Sequence, residues 1–226
     1  MAIRAVIFDW GGTLTPWHTI DHLALWRGVC APHFPDADTI AAAVRAAEEA
    51  LWLRAMTEQR SATLADVFAA AGIEPDGTFL DAYYHAWEPH TYTDPDVAPL
   101  LRELRGRGIK VGVLSNTMWS RAAHERVFAR DQILDLLDGA VYSSEIAWTK
   151  PHPEAFRAAM AAIGVTDPES CVFVGDRPHD DIHGAKSAGM RAVLVPHSEV
   201  PAHEEAVPDA VISRLAELTA HLDAWA

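Results

Sequence analysis

An apolar run, Ala5 to Phe8, ends in Asp9 and is followed at once by Trp10, Gly11 and Gly12. A buried strand that delivers a carboxylate to its C-terminal end places it where open α/β sheets bind ligands. An aspartate held there can act as a nucleophile toward phosphorus or carbon. Two further apolar runs end in polar side chains: Ile109 to Leu114 in Ser115-Asn116, and Cys171 to Val174 in Gly175-Asp176. Lys150 stands directly before Pro151, where a helix is about to begin. A nucleophilic carboxylate, a hydroxyl, an ammonium and a further carboxylate pair form the inventory that phosphoryl transfer needs. Negative oxygens require a cation clamp, and carboxylates require Mg²⁺ to coexist with phosphate.

The elements that must position these groups are read from periodicity. Residues 3–8 form the first strand. From about Trp17 to Trp87 the chain is rich in alanine and spaced apolar residues, with no strand-like alternation. Ile40, Val44, Ala47, Leu51 and Met56 approximate one helical face. Thr63-Leu64-Ala65-Asp66 fits a capping box, closed by Ala71-Gly72, and Pro75-Asp76-Gly77 is a turn. Beyond Asp94-Pro95 strands and helices alternate: a helix over 97–106, a strand over 109–114, a helix over 120–130 and a short strand at 140–142. A helix opened by Pro153 follows, then a strand over 171–174, a helix from Ile182 to Ala188, strands over 191–195 and 210–212, and a last helix. This order predicts an α/β fold with a Rossmann-like parallel sheet. The core comprises 1–14 and 93–226, and 15–92 is a small all-helical domain inserted after strand one.

The 226 residues suffice for a core domain with such an insertion; half are apolar and 22% charged. No apolar run approaches the ~20 residues needed to span a bilayer. Met1-Ala2-Ile3-Arg4 leads straight into the first strand, so no signal peptide is expected. Cys30 and Cys171 sit in apolar surroundings and read as core thiols in a reducing compartment, which points to the cytoplasm. A net charge of -14 argues against nucleic acid or an anionic membrane as partner, since both need a basic face. A small anionic metabolite would need local cations and a metal to offset that field. Whether the chain is a monomer or a homodimer is not legible.

Asp9-Trp10-Gly11-Gly12-Thr13, Val113-Leu114-Ser115-Asn116, Lys150-Pro151 and Gly175-Asp176-Arg177-Pro178-His179-Asp180-Asp181 with Gly184 to Met190 are similar, in order, to the four motifs of the haloacid dehalogenase superfamily. The resemblance covers nearly the whole chain and implies a hydrolase, a phosphatase first of all, with a C1-type helical cap after motif one. It implies Asp9 as nucleophile and Mg²⁺ ligand, with the carbonyl of Gly11, Asp176 and Asp181 completing the metal set. Ser115 and Lys150 would hold phosphate oxygens alongside Gly11, Gly12 and Asn116, and Lys150 would keep Asp9 ionised. Asp180 is read as a cap of the following helix. Of the three lysines, Lys110 and Lys186 are read as structural or solvent-facing.

The family's phosphatases carry Asp-x-Asp-Gly-Thr, and here Gly11 replaces the second aspartate, their general acid/base. Such groups contribute about 10²- to 10⁴-fold to rate. Four alternatives stay open: a substrate with a good leaving group, a proton shuttle supplied by the cap through His18, Asp21 or His22, C–P hydrolysis, or C–halogen hydrolysis. The third resembles phosphonoacetaldehyde hydrolase, which needs a cap lysine, and none stands between Asp9 and Lys110. The fourth resembles the 2-haloacid dehalogenases, which lack the Gly-Asp of motif four. A catalytically impaired ligand- or partner-binding member is a further class. Trp10 and Trp17 are the tryptophans expected to face a substrate, Arg54 and Arg60 are read as solvated helix face, and the twelve histidines as carrying no metal pattern such as His-x-x-x-His with a carboxylate.

Overall fold

The computed structural model of the chain describes residues 2–196, 203 and 206–226. Six parallel strands, β1 (Ala5–Phe8), β2 (Lys110–Ser115), β3 (Gly139–Tyr142), β4 (Cys171–Gly175), β5 (Arg191–Leu194) and β6 (Ala210–Val211), lie in the order β3-β2-β1-β4-β5-β6. β1 pairs with β2 on one side (Phe8 opposite Val113) and β4 on the other (Phe8 opposite Val174). The strand order therefore reverses at β1, and the crevice beside that reversal is where such sheets bind ligands. β1 is completely buried, as a central parallel strand covered on both faces must be.

Successive residues of β1 face opposite layers. Val6 and Phe8 join one apolar cluster, and Ala5 and Ile7 the other. The first cluster gathers four helices inserted after β1, α1 (His22–Cys30), α2 (Ala37–Glu58), α3 (Leu64–Ala71) and α4 (Gly77–Trp87), together with α5 (Val97–Gly106), α6 (Arg121–Arg130) and the C-terminal α9 (Leu218–Ala224). The second gathers α7 (Pro153–Ala162) and α8 (Gly184–Ser187).

The inserted segment holds helices and no named strand, as expected from its pattern. Thr63 and Asp66 form the reciprocal capping box of α3, and Gly72 ends it in the left-handed conformation. Asp76 opens α4 by accepting the Phe79 amide at 2.9 Å. Trp26 stacks on Tyr83 with ring centroids 4.6 Å apart. The buried face of α2 is Ala41, Val44, Glu48 and Ala55, whereas Met56, expected on that face, is exposed. Glu48 takes the place of an apolar residue because it satisfies the Trp26 indole N–H (3.2 Å) and Arg45 (2.8 Å).

The end of α2 is stitched to the loop before Lys150. Thr149 donates its amide to Gln59 (3.0 Å) and its hydroxyl to Ala55 (3.3 Å), and the Arg60 guanidinium lies 4.0 Å over the Trp148 ring.

Two expectations need correction in the motif-four region. The helix does not begin at Ile182: a π-helical turn, Pro178–His183, precedes α8. Asp180 therefore lies inside a turn and caps nothing; its carboxylate is 3.0 Å from His179 Nδ1. Pro178, with φ preset for a first helical position, starts the turn early. Lys110 and Lys186 pair with Asp138 (2.8 Å) and Asp209 (2.7 Å), as their structural reading requires. Among the described residues no helix is long and apolar enough to cross a membrane.

Candidate active site

Asp9 follows β1 with its amide donating to Val174 of β4 (2.9 Å), so its carboxylate stands at the strand-order reversal. Asp176 follows β4, and Asp181 projects from the turn beyond it. Ligand oxygens of Asp9, Asp176 and Asp181 all lie within 4.8 Å of one another, and all three residues are buried. Lys150 Nζ sits between two of them, 2.6 Å from Asp9 Oδ1 and 2.6 Å from Asp181 Oδ1. Asp181 Oδ2 also accepts the Arg177 amide at 2.8 Å, which fixes the turn that carries it.

Lys150 owes its place to Asn116. The Asn116 side chain donates to the Lys150 carbonyl (3.0 Å) and accepts from its amide (2.8 Å). Its amide group thus grips the lysine backbone. Ser115, the buried last residue of β2, stands beside Tyr142 of β3. Ser143 braces the loop after Ser115, donating to the Thr117 carbonyl (2.9 Å) and accepting its amide (2.8 Å). Thr13 reaches toward Asp176, Oγ1 to Oδ1 at 3.5 Å. Sequence reasoning passed over Thr13 and Ser143; only Thr13, inside motif one, carried a signal.

Two glycines are required by this packing. Gly12 has φ +92°, and a Cβ there would lie 2.6 Å from Asp176 Oδ2. A Cβ at Gly175 would overlap the Asp181 carboxylate. Gly11 differs: a Cβ there meets nothing within 4 Å, and its φ lies outside the left-handed region.

The electrostatics are those of a cation site. Burial, then the charges of Asp9 and Asp181, push the Asp176 carboxyl up to about 8. Burial, then Asp9, push Asp181 up to about 7 against the pull of Lys150. Burial alone would lower the Lys150 ammonium, but Asp181 and Asp9 raise it above its ordinary value. Asp176 Oδ2 is buried without a hydrogen bond, its nearest cation being Arg177 Nε at 3.5 Å. An all-oxygen donor set, an orphaned carboxylate oxygen and mutual repulsion that a divalent ion would relieve all fit Mg²⁺.

The residues considered as replacement proton shuttles are dispersed. Asp21 caps α1 through the Ala24 amide (2.9 Å). His22 Nδ1 lies 3.6 Å from Glu48. His18 is exposed, its ring edge-on to His90 at 5.4 Å. Trp10 packs in an aromatic cluster with Trp119 (5.5 Å) and His124 (4.6 Å). Burial pushes the His124 imidazole down to about 4, so it is a neutral packing element. The Arg177 guanidinium covers the ring of Trp17 at 4.8 Å. Arg54 bonds the Ser61 carbonyl at 3.1 Å.

A first strand ending in a buried aspartate, a carboxylate trio and a buried lysine at the reversal point of a parallel sheet define a Rossmann-like enzyme core. The family model of the haloacid dehalogenase-like hydrolases matches residues 3–189, and the chain belongs to that family. Phosphoserine phosphatase of Thermus thermophilus is 30% identical over 201 residues, 83% of this chain and 78% of that protein. Phosphoglycolate phosphatase of Rhodospirillum rubrum is 31% identical over 208 residues, 85% of this chain and 79% of that protein. Other curated relatives align over about half their own length, 55% and 54% in two cases. The 2-haloacid dehalogenase of Pseudomonas syringae superposes with a TM-score of 0.73 at 24% identity, covering 99% of this chain and all of that one, a likeness of fold.

Proposed function

We propose that this hydrolase is a Mg²⁺-dependent phosphatase of a small phosphorylated metabolite, acting through an aspartyl-phosphate at Asp9. The observation that carries the reading is the Asp9–Lys150–Asp181 bridge beside the under-satisfied Asp176. The phosphatase names of the two relatives aligned across most of their length support it. The resemblance to the 2-haloacid dehalogenases lacks the Gly-Asp of motif four, which Gly175 and the buried Asp176 supply here.

In this reading Asp9 attacks phosphorus as the bond to the leaving oxygen breaks, that oxygen takes a proton from water, and a second water then attacks the phosphorus of the aspartyl-phosphate, releasing inorganic phosphate and regenerating the Asp9 carboxylate. Lys150, held by Asn116, pairs with Asp9 and meets the phosphate oxygens, with the Ser115 hydroxyl nearby. Asp9, Asp176 and Asp181, with the carbonyl of residue 11, would hold Mg²⁺, which when bound supplies charge neutralisation for the phosphoryl group. The helices of 15–92 act as a cap that excludes water. Gly11 offers no acid for the leaving group, so acyl phosphates are favoured over alkyl phosphates, and His18 is the remaining shuttle candidate of the three. We place the enzyme in the cytoplasm, where its two buried thiols, Cys30 and Cys171, stay reduced.

The test is hydrolysis of p-nitrophenyl phosphate and acetyl phosphate with Mg²⁺ and with EDTA, beside Asp9→Asn. Metal-dependent turnover that disappears in Asp9→Asn is expected. Turnover retained by that variant would overturn the nucleophile, and metal-independent turnover would overturn the Mg²⁺ assignment. His18→Gln is expected to slow p-nitrophenyl phosphate more than acetyl phosphate.

A further inference from the structure

His179, His183 and His203 converge on one side of the turn that carries Asp181. Their ring centroids are 5.6 Å (His179 to His183), 4.7 Å (His179 to His203) and 5.5 Å (His183 to His203) apart. His179 and His183 are a His-x-x-x-His pair with Asp180 between them, so the expectation that the histidines carry no such pattern is corrected. The reason is the early start of the helical turn: beginning it at Ile182 leaves His179 outside, whereas the observed Pro178–His183 turn holds both.

We infer that these three imidazoles form a binding site for a borderline-soft divalent transition ion such as Zn²⁺ or Co²⁺, separate from the carboxylate site. With Zn–N bonds of about 2.0–2.1 Å and tetrahedral angles, the rings of three histidines on one ion have centroids about 5 Å apart. The observed separations bracket that value. Among the described residues only Asp9, Asp176 and Asp181 already offer ligand atoms to one point, so an ion at the histidines requires rotation about χ2, a broad torsion, to bring one nitrogen of each ring together. Two further features fit ligation. The Asp180 carboxylate stands 3.0 Å from His179 Nδ1, the carboxylate–histidine arrangement that fixes a tautomer and leaves Nε2 for a metal. His203 Nδ1 is buried and has no hydrogen-bond partner among the described residues. The donor set is nitrogen, whereas Asp9, Asp176 and Asp181 offer only oxygen, so each site selects its own ion. An ion here ties His203 to the turn that carries Asp181.

The experiment uses full-length protein without a histidine tag, with excess Mg²⁺ present to saturate the carboxylates. Titration with Co²⁺ is expected to give one equivalent with tetrahedral visible bands, displaced by Zn²⁺. His183→Gln and His203→Gln should abolish the bands, and Asp180→Asn should weaken binding about 10- to 100-fold. In the wild-type protein, Zn²⁺ should shift the imidazole ¹⁵N resonances of these three of the twelve histidines. Loss of the bands in excess Mg²⁺ would assign the ion to the carboxylates and overturn the site. Unchanged binding in folded His183→Gln and His203→Gln, or shifts in other histidines, would overturn it equally.

Discussion

At Gly11 the missing carboxylate leaves open space. A side chain there meets nothing within 4 Å and the backbone does not demand glycine. Gly11→Asp is therefore expected to fold normally and to raise p-nitrophenyl phosphate turnover, by up to the roughly 10²- to 10⁴-fold that acid/base groups supply. No gain in a folded variant would show that the proton comes from elsewhere, with His18 the first residue to substitute. Gly12→Ala has the opposite prognosis, because its Cβ would lie 2.6 Å from Asp176 Oδ2 at a positive φ. It should lose Mg²⁺ affinity measured calorimetrically, and unchanged affinity would show that Asp176 is no ligand. The two neighbouring glycines look alike in sequence; only the three-dimensional packing separates the replaceable one from the required one. Asp9, Lys150 and Asp176 were legible because each ends an apolar run or precedes a proline. The turn of Asn116 onto the Lys150 backbone was not, since partners 34 residues apart leave no local trace.

At the scale of elements, the alternation of strands and helices gave every strand within a residue or two, because buried parallel strands are short apolar runs. The helical insertion was legible as a class and less so in detail. Glu48 on the buried face of α2 breaks the apolar period that exposed Met56 was expected to keep. Such a carboxylate is tolerated only while its partners remain. Glu48→Ala leaves the buried Trp26 N–H unmatched and Arg45 paired with Glu49 alone, and should cost about 1–3 kcal/mol in urea unfolding. A change within a few tenths of a kcal/mol would show that water replaces the carboxylate. Oxygen-bonding partners in the core are distant in sequence, and no periodicity predicts them.

For the molecule as a whole, a net charge of -14 and three buried carboxylates make metal and protons competing stabilisers. Asp176 and Asp181 titrate higher in the folded protein than in the unfolded chain, so the folded form binds extra protons above the ordinary carboxylate range. In EDTA, that contribution is complete at low pH and is lost as pH rises from about 4 to about 8. The urea midpoint of the metal-free protein should therefore fall between about pH 5 and about pH 8, and Mg²⁺ should flatten the decline. A rising midpoint in EDTA would contradict the raised carboxyls. The same scale gives the stitch between Gln59 and Thr149 its consequence. The end of α2 is bonded to the backbone immediately ahead of Lys150, so any opening of the helical segment would pull on the residue whose ammonium bridges Asp9 and Asp181. Product escape and the placement of the Lys150 ammonium against Asp9 would then share one reaction coordinate. Friction from a viscous solvent would slow both together, and an enzyme that cannot let go would also be one that cannot attack.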